Sequence, residues 1–406
     1  MTSVEARRAI EALRKGLPPD GHVRRFTVGR EAEIGELESR VRQGRAEALL
    51  LRANYGAGKS HLLRLIRELA ISERYAVSLL SLDARADVRF NRMDQIFGAA
   101  IRNIEVPDSA IKGPGALFGA LLDAMTSPCP DPSWKSQLDE LSNMGRWDYS
   151  TALRSPALFV AVRAWIVGTL YDDDHGMVPR EVESWICEPW NYYTRTKWLY
   201  YRFVSGLRNH FRDPRAAWQF YRRGCETFIL RAAGYQQAWD ALRDLNVLAQ
   251  MCGFRGLVLL VDEFEDVIYN LRGGGVDCQY EAFWNLFRLF WGEYPGMSFY
   301  AVTPGFSEKC KELLRRKGYR DFDYSHFDEL PAFEMSPIGI HELDELALRI
   351  MDAHGMAYGW EPDPEIIVSE LKEELRQIAT IPVQDRARRA ITNVVSLLDQ
   401  RLEATI

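Results

Sequence analysis

The strongest structural signal in this sequence of 406 residues is the segment Ala48-Leu49-Leu50-Leu51-Arg52-Ala53-Asn54-Tyr55-Gly56-Ala57-Gly58-Lys59-Ser60. Its first four residues are apolar, a run of the length expected for a strand buried on both faces of a parallel sheet. A glycine-rich turn follows, and apolar residues then recur at helical spacing through residues 62–69. The segment therefore predicts the strand, turn and helix that open a β-α-β unit.

Residues 53–60 match the pattern of a phosphate-binding loop in its alanine-first form. Glycines in such a turn let backbone amides point at a polyphosphate, and the N-terminus of the next helix adds partial positive charge. We expect Lys59 to bind the β- and γ-phosphates and Ser60 to ligate Mg²⁺. The alternative is a chance glycine turn. The predicted nucleotide-binding residues here are Asn54, Tyr55, Gly56, Ala57, Gly58, Lys59, Ser60 and His61.

Further strands are predicted at residues 76–82, 256–261 and 298–302. The strand at 256–261 runs directly into Asp262 and Glu263. A nucleotide hydrolase needs a carboxylate at the end of a neighbouring strand for its metal and a base for its water. Asp262 is the candidate for Mg²⁺ and Glu263 the candidate base, although apolar residues before Asp-Glu also occur by chance. Glu265 and Asp266 are expected to be solvated or structural.

Other polar residues are weaker candidates. Thr303 follows the strand at 298–302 and is predicted to sense the γ-phosphate or hold the attacking water; otherwise it is a turn residue before Pro304. A cationic cluster downstream is suited to an arginine finger for a neighbouring subunit or to a solvated helix face. Its members are Arg315, Arg316 and Arg320.

Residues near the two ends of the chain are also candidates for the nucleotide site. Val28-Gly29-Arg30-Glu31 leads into an amphipathic helix predicted at residues 31–41. Arg386 and Arg389, three apart, share one helix face, from which one of them could reach the phosphates when a lid closes. The alternative for this pair is an ordinary basic face.

The chain divides into an α/β core with helical additions. We expect N-terminal helices and an adenine-side box at 1–45, the core at 46–100 and 246–336, a helical insertion at 101–245 and a C-terminal helical lid at 337–406. The alternation of strands and helices predicts the parallel-sheet core of a P-loop NTPase. No repeat of 20–50 residues is visible, which excludes solenoids and propellers.

Composition places the chain among ordinary globular proteins. Hydrophobic residues make up 47% and charged residues 27%, which excludes wholesale disorder. The longest apolar stretch, residues 156–171, contains Arg163 and falls short of the roughly 20 residues of a membrane-spanning helix. Since the first twenty residues carry no secretory pattern, a cytoplasmic location without membrane partners is expected. The six cysteines form no CxxC pair and are expected to be reduced.

Residues 185–223 interleave aromatic rings with cationic side chains. Eight basic residues against two acidic ones give this segment a local charge of +6, although the whole chain carries −6. Such a mixture suits single-stranded nucleic acid or a phosphate backbone. The alternative is that the rings pack between helices.

Three motifs together resemble the AAA+ group of ATPases, on its initiator and STAND-like side. They are the box Val28-Gly29-Arg30-Glu31, the loop 54–60 followed by His61-Leu62-Leu63, and the strand end Val261-Asp262-Glu263-Phe264-Glu265. The match is closer to the ATP-binding proteins of bacterial BREX phage-defence systems. The resemblance implies ATP as ligand, a nucleotide contact by Val28, Gly29 and Arg30, and helicases or methyltransferases as partners.

The leading functional hypothesis is a Mg²⁺-dependent ATPase whose turnover is coupled to DNA or to a partner enzyme, in a homo-oligomer. One alternative is a nucleotide-gated oligomeric scaffold with little hydrolysis. Another is a loader or target selector on DNA, like the replication-initiator and transposition ATPases that the chain resembles.

Overall fold

The computed structural model describes residues 1–82, 88–126, 131–142, 153–171, 177–188, 235–267, 277–319, 322–336, 338–363, 365, 369–370, 372 and 383–405. The strands are β1 (Ala48–Arg52), β2 (Ala76–Ser81), β3 (Ile104–Glu105), β4 (Leu257–Asp262), β5 (Met297–Val302) and β6 (Ala332–Glu334). The helices up to β4 are α1 (Ser3–Arg14), α2 (Glu31–Gln43), α3 (Lys59–Ser72), α4 (Met93–Arg102), α5 (Pro114–Thr126), α6 (Lys135–Ser142), α7 (Pro156–Tyr171), α8 (Met177–Cys187) and α9 (Tyr235–Met251). The later ones are α10 (Asp277–Phe290), α11 (Phe306–Arg316), α12 (Ile340–Tyr358) and α13 (Val383–Thr405).

The six described strands form one sheet in the order β3-β2-β4-β5-β1-β6. Every neighbouring pair is parallel except β2 and β3. The α/β class, the mostly parallel sheet and the four predicted strands are confirmed. Two short strands were not predicted, and β3 lies where only helices were expected. With two and three residues, β3 and β6 are too short to show a period; only their sheet partners define them.

The strand order corrects one expectation. The strand that ends in Asp262 was expected beside the strand that leads into the loop, but β5 lies between β4 and β1. Ser298 of β5 pairs with Ala48 on one side and with Leu259 on the other. Because all three strands are parallel, their carboxyl ends still meet at one edge of the sheet. The order of parallel strands depends on crossovers that the local pattern does not encode.

Side chains of the central strands alternate between two apolar layers, one on each face of the sheet. Leu49 and Leu51 of β1 pack with α2 and α3, whereas Leu50 faces the layer built with α4, α5, α7 and α9–α11. This alternation is what a strand with period two requires when both faces are covered. Strand β1 is therefore packed between helices on both faces, which fixes the position of the glycine-rich loop that follows it.

Between residues 101 and 245, the described elements are helices apart from β3. The core helix predicted at 156–171 is present as α7, with its cationic residue Arg163 fully buried. Asp244 on α9 accepts hydrogen bonds from the amides of Arg154 and Ser155, at 2.8 and 2.7 Å, and so caps the start of α7. Burial raises the pKa of this carboxyl to about 6. Among the described helices, none combines the length and apolar character that crossing a bilayer requires.

A third apolar cluster joins the two ends of the chain. Ile10 on α1 packs with Ile350 on α12 and Leu398 on α13. Beside it, Arg14 binds Asp399 at 2.8 Å, and Asp399 in turn contacts the buried imidazole of His354 at 3.0 Å. The first helix thus packs on the C-terminal helices, whereas α2 packs on the sheet.

Gly29 is where this terminal helical unit meets the segment that leads to α2. Its φ is +63°, and a Cβ added to it would clash with Cγ of Glu342 in the first turn of α12. Gly29→Ala is therefore expected to lower the free energy of unfolding by about 2 kcal/mol, from left-handed strain and overpacking. The measurement is a urea unfolding curve.

Gly35→Ala is the matched control, because a Cβ at this helical position meets no atom within 4 Å. It should stabilise the protein by up to ~1 kcal/mol through helix propensity. If the two variants had the same urea midpoint of unfolding, position 29 would have no particular requirement for glycine.

Candidate functional site

The glycine-rich loop has the conformation that its sequence predicts. Gly56 and Gly58 adopt φ values of +71° and +89°, a region that other residues avoid. Gly58 is the N-cap of α3 and provides no side-chain cap for it. Since the first amides of a helix have no partner within the helix, this terminus presents donors and partial positive charge to a ligand. Lys59 and Ser60 are the first two residues of the helix.

The loop forms one wall of a cavity of about 560 Å³, a volume typical of small-molecule sites. The cavity brings together residues that are more than 200 positions apart in sequence. The predicted site residues that line it are Val28, Arg30, Tyr55, Gly56, Gly58, Lys59, Ser60, His61, Asp262 and Glu263. Glu265 lines it as well.

Val28 lines the cavity too, so all three parts of the predicted site contribute to it: the box, the loop and the strand end. The remaining wall is mostly apolar and comes from the two ends of the chain. It includes Leu13, Leu17, Pro18, Phe26, Ile338, Leu346 and Ile391. The cavity therefore has a charged end at the loop and an apolar end between α1, α12 and α13.

Lys59 lies at the charged end, with its side chain only 12% exposed. Its Nζ donates a hydrogen bond to the carbonyl of Ala53 at 2.9 Å and lies 4.9 Å from the ring centre of Tyr55. It also forms an ion pair with Glu265 at 3.7 Å. Burial lowers the pKa of Lys59, and the carboxylates of Glu265 and Asp262 oppose that shift.

Glu265 is a site residue that the sequence reasoning did not identify. It was expected to be solvated or structural, but it is buried and faces the cavity. Thr303 donates a hydrogen bond to its Oε2 at 2.7 Å, and Lys309 lies 3.9 Å from the same oxygen. The preceding Phe264 is fully buried, which anchors the short 3₁₀ turn that carries Glu265 into the site. The only signal in the sequence is its spacing of three from Asp262.

Asp262 and Glu263 both line the cavity at the end of β4. Oδ1 of Asp262 accepts the amide of Glu263 at 2.9 Å. Glu263 is exposed and adopts a φ of +53°, which is uncommon for a residue with a side chain. Strained backbone of this kind concentrates at functional sites, where the surrounding structure holds it in place.

The other residues predicted on this side of the sheet are spread more widely. Thr303 is buried directly after β5, next to Glu265. Arg315 packs over the ring of Tyr324, 5.1 Å from its centre, and Arg316 is exposed and paired with Glu312. Arg320 lies outside the described residues.

Two buried side chains, Arg30 in the box and Thr27 just before it, contact the loop and the first turn of α3. Arg30 donates hydrogen bonds to the carbonyls of Ala57 and Ser336, at 2.5 and 3.1 Å, and so joins the loop to the segment before α12. His61 contacts the hydroxyl of Thr27 at 2.8 Å. Because that hydroxyl donates to the carbonyl of Val23, we assign Nε2 of His61 as the donor to Thr27. Burial, with Arg30 and Arg64 nearby, lowers the pKa of His61 to about 4, so its ring is neutral at pH 7.

On α13 the structure places a different arginine at the cavity from the two that were predicted. Arg388 lines it, together with Ala387, whereas Arg386 and Arg389 are not among the lining side chains. Which side of α13 faces the cavity depends on how the helix packs against α1 and α12. The spacing of the arginines alone does not reveal this.

The aromatic and basic segment lies mostly outside the described residues, which omit 189–234. Trp185, at its start, is fully buried in the core beside the sheet, as the packing interpretation of the rings expects.

The fold and the cavity define a mixed α/β protein in which a glycine-rich loop and an acidic strand end face each other at one sheet edge. Residues 2–126 match the family model described as BREX system ATP-binding protein BrxC/D. The match confirms the predicted resemblance over that part of the chain, which contains the box and the loop. No curated protein and no solved structure matches the chain significantly.

Arg30→Met tests whether the box holds the loop in place. The change leaves the carbonyls of Ala57 and Ser336 without this donor, which should cost about 1–3 kcal/mol of stability. We expect amide hydrogens of residues 54–60 to exchange faster, as measured by mass spectrometry.

Arg24→Met is the control, because the side chain of Arg24 is 62% exposed where it pairs with Glu38, and ion pairs at the surface contribute at most ~1 kcal/mol. If loop exchange were the same in both variants, Arg30 would have no role in holding the loop.

Proposed function

We propose that this chain is a Mg²⁺-dependent ATPase with a P-loop NTPase core of the AAA+ type, acting in a BREX-like phage-defence system. The observation that carries the proposal is the single cavity that joins the loop amides and Lys59 to the strand end Asp262-Glu263. The family description of residues 2–126 supports ATP as the nucleotide and phage defence as the setting.

The residues that line the cavity fit a nucleoside triphosphate with its Mg²⁺ ion. The uncapped start of α3 and the left-handed Gly56 and Gly58 present backbone donors suited to phosphate oxygens. Ser60 and Asp262 supply the hard oxygen ligands that Mg²⁺ prefers. When bound, the metal would neutralise charge on the phosphates. A Cβ at Gly58 would force a side chain into left-handed backbone, so this position also favours glycine.

Each part of the cavity is then assigned one task. Lys59 binds the phosphates as a point charge, and Glu263 orients the attacking water. Thr303, held by Glu265, senses the terminal phosphate. The apolar end between α1, α12 and α13 receives the base, with Val28 of the box beside it and Arg388 at its rim.

A nucleotide-gated switch is the second candidate, and the position of the cavity favours it. Its walls come from the sheet edge and also from the helices at the two ends of the chain, through Leu346 and Ile391. A ligand that contacts both would shift the equilibrium between open and closed arrangements even without rapid hydrolysis. Homo-oligomers, DNA and a helicase or methyltransferase remain the proposed partners, and the cytoplasm the proposed location.

Binding of ATP is tested by calorimetry with Lys59→Met. Loss of the buried cation should weaken ATP binding by roughly tenfold or more, since one charged hydrogen bond contributes about 1.5–3 kcal/mol. Asp262→Asn should leave binding in EDTA unchanged but remove most of the gain in affinity on adding Mg²⁺. A wild-type chain that binds no ATP would overturn the proposed function.

Hydrolysis is tested separately with Glu263→Gln. This variant should bind ATP with wild-type affinity and lose most of its phosphate release, by about 100-fold or more, because the amide does not act as a base. Glu334→Gln changes an exposed carboxylate at the end of β6 and should keep wild-type turnover. Binding without turnover in the wild type would favour the gated switch instead.

A further inference from the structure

A second lysine lies beside Glu265, at the charged end of the cavity, on the helix that follows β5. Lys309 lies in the first turn of α11, and its Nζ is 3.5 Å from Oγ1 of Thr303 and 3.9 Å from Oε2 of Glu265. None of the motifs identified in the sequence includes it. Its position in the fold therefore calls for a separate explanation.

The end of β5 lies directly beside the start of the phosphate loop. The amide of Ala53 donates to the carbonyl of Val302 at 3.1 Å, and Thr303 is the next residue along β5. Lys59 donates to the carbonyl of the same Ala53 from the other side. Lys59 and Lys309 thus approach one corner of the site from two different helices.

Both lysines face the same buried carboxylate, that of Glu265. Oε1 of Glu265 is 3.7 Å from Nζ of Lys59, while its Oε2 faces Lys309 and accepts the hydroxyl of Thr303. Both ion-pair distances exceed the roughly 2.7–2.9 Å of a tight charged hydrogen bond, so neither lysine is locked in place. Two lysines therefore share one carboxylate, so that an anionic ligand can replace Glu265 as the partner of either lysine.

The exposure of the two lysines differs in a way that suits two tasks. The side chain of Lys59 is 12% exposed, whereas that of Lys309 is 43% exposed. Lys309 is therefore free to change its rotamer when a ligand arrives, at little cost in packing. Farther along α11, Arg316 is exposed and paired with Glu312.

We propose that Lys309 is a second phosphate-binding lysine, which contacts the terminal phosphate of ATP and so distinguishes ATP from ADP. The inference rests on the proposed function, because it assumes that the cavity binds a nucleotide. The loop amides and Lys59 hold the phosphates from the side of the loop, which leaves the β5 side of the terminal phosphate for a second cation. Glu265 is the positioning residue that holds Lys309 there, beside Thr303, which senses the same phosphate.

The test is calorimetry on the full chain, with MgATP and MgADP titrated into each variant. Lys309→Met keeps the length of the side chain and removes its charge. We expect its affinity for ATP to fall roughly tenfold, the effect of losing one charged hydrogen bond, while its affinity for ADP stays within about twofold. Lys309→Arg should restore part of the preference for ATP. Lys317→Met removes an exposed charge at the end of the same helix and should change neither affinity.

Binding of ADP also reports that the Lys309→Met variant is folded, since it depends on the intact loop. If Lys309 only neutralises Glu265, the ratio of the two affinities will match that of the wild type, and the inference is wrong. Equal losses for ATP and ADP would also contradict it, because they would indicate a general disturbance of the site. If the wild-type chain binds neither nucleotide, the proposed function fails, and this inference fails with it.

Discussion

The left-handed backbone at Gly56 and Gly58 is the constraint on which the rest of the site depends. These two residues turn the chain sharply enough for α3 to start beside the end of β1, with its first amides facing the cavity. The position of the turn is fixed by the strand before it, because Leu49, Leu50 and Leu51 are buried between helices on both faces of the sheet. Arg30 also holds the loop, through a hydrogen bond that it donates to the carbonyl of Ala57.

Charge at the sheet edge is arranged around buried partners. Glu265 contacts both Lys59 and Thr303 in a space that is largely closed to water, where an unpaired charge is costly. The ion pair lowers that cost but is long, so an anionic ligand would replace the carboxylate at Lys59 without a large rearrangement.

Local patterns in the sequence predicted the elements whose signal lies within their own residues. They did not predict the elements that are defined by contacts with other segments. β1, the loop, β4 and β5 each carry a complete signal: an apolar run, glycines at defined positions or a charged strand end. The short strands β3 and β6 exist only through their sheet partners. Glu265 is placed by a 3₁₀ turn whose direction depends on the packing of Phe264, and Lys309 by the start of a helix whose direction depends on the packing of Phe306. That Arg388 lines the cavity, rather than Arg386 or Arg389, depends on the rotation of α13 about its axis.

The cavity also explains why the two ends of the chain belong to the site. α1 and α13 pack on α12 through one apolar cluster, and the ion pair between Arg14 and Asp399 joins them again at its edge. This unit meets the core near Gly29, at the start of α12, and through Arg30 and its bond to Ser336. Arg30, which makes one of these contacts, also lines the cavity. A ligand that fills the space between the unit and the sheet edge adds contacts to both, and its binding energy is then available to hold them together. Under the proposed function, loss of the terminal phosphate would remove contacts on the sheet side only, so a chemical change near Lys59 and Asp262 would alter the position of the helices at the opposite end of the ligand.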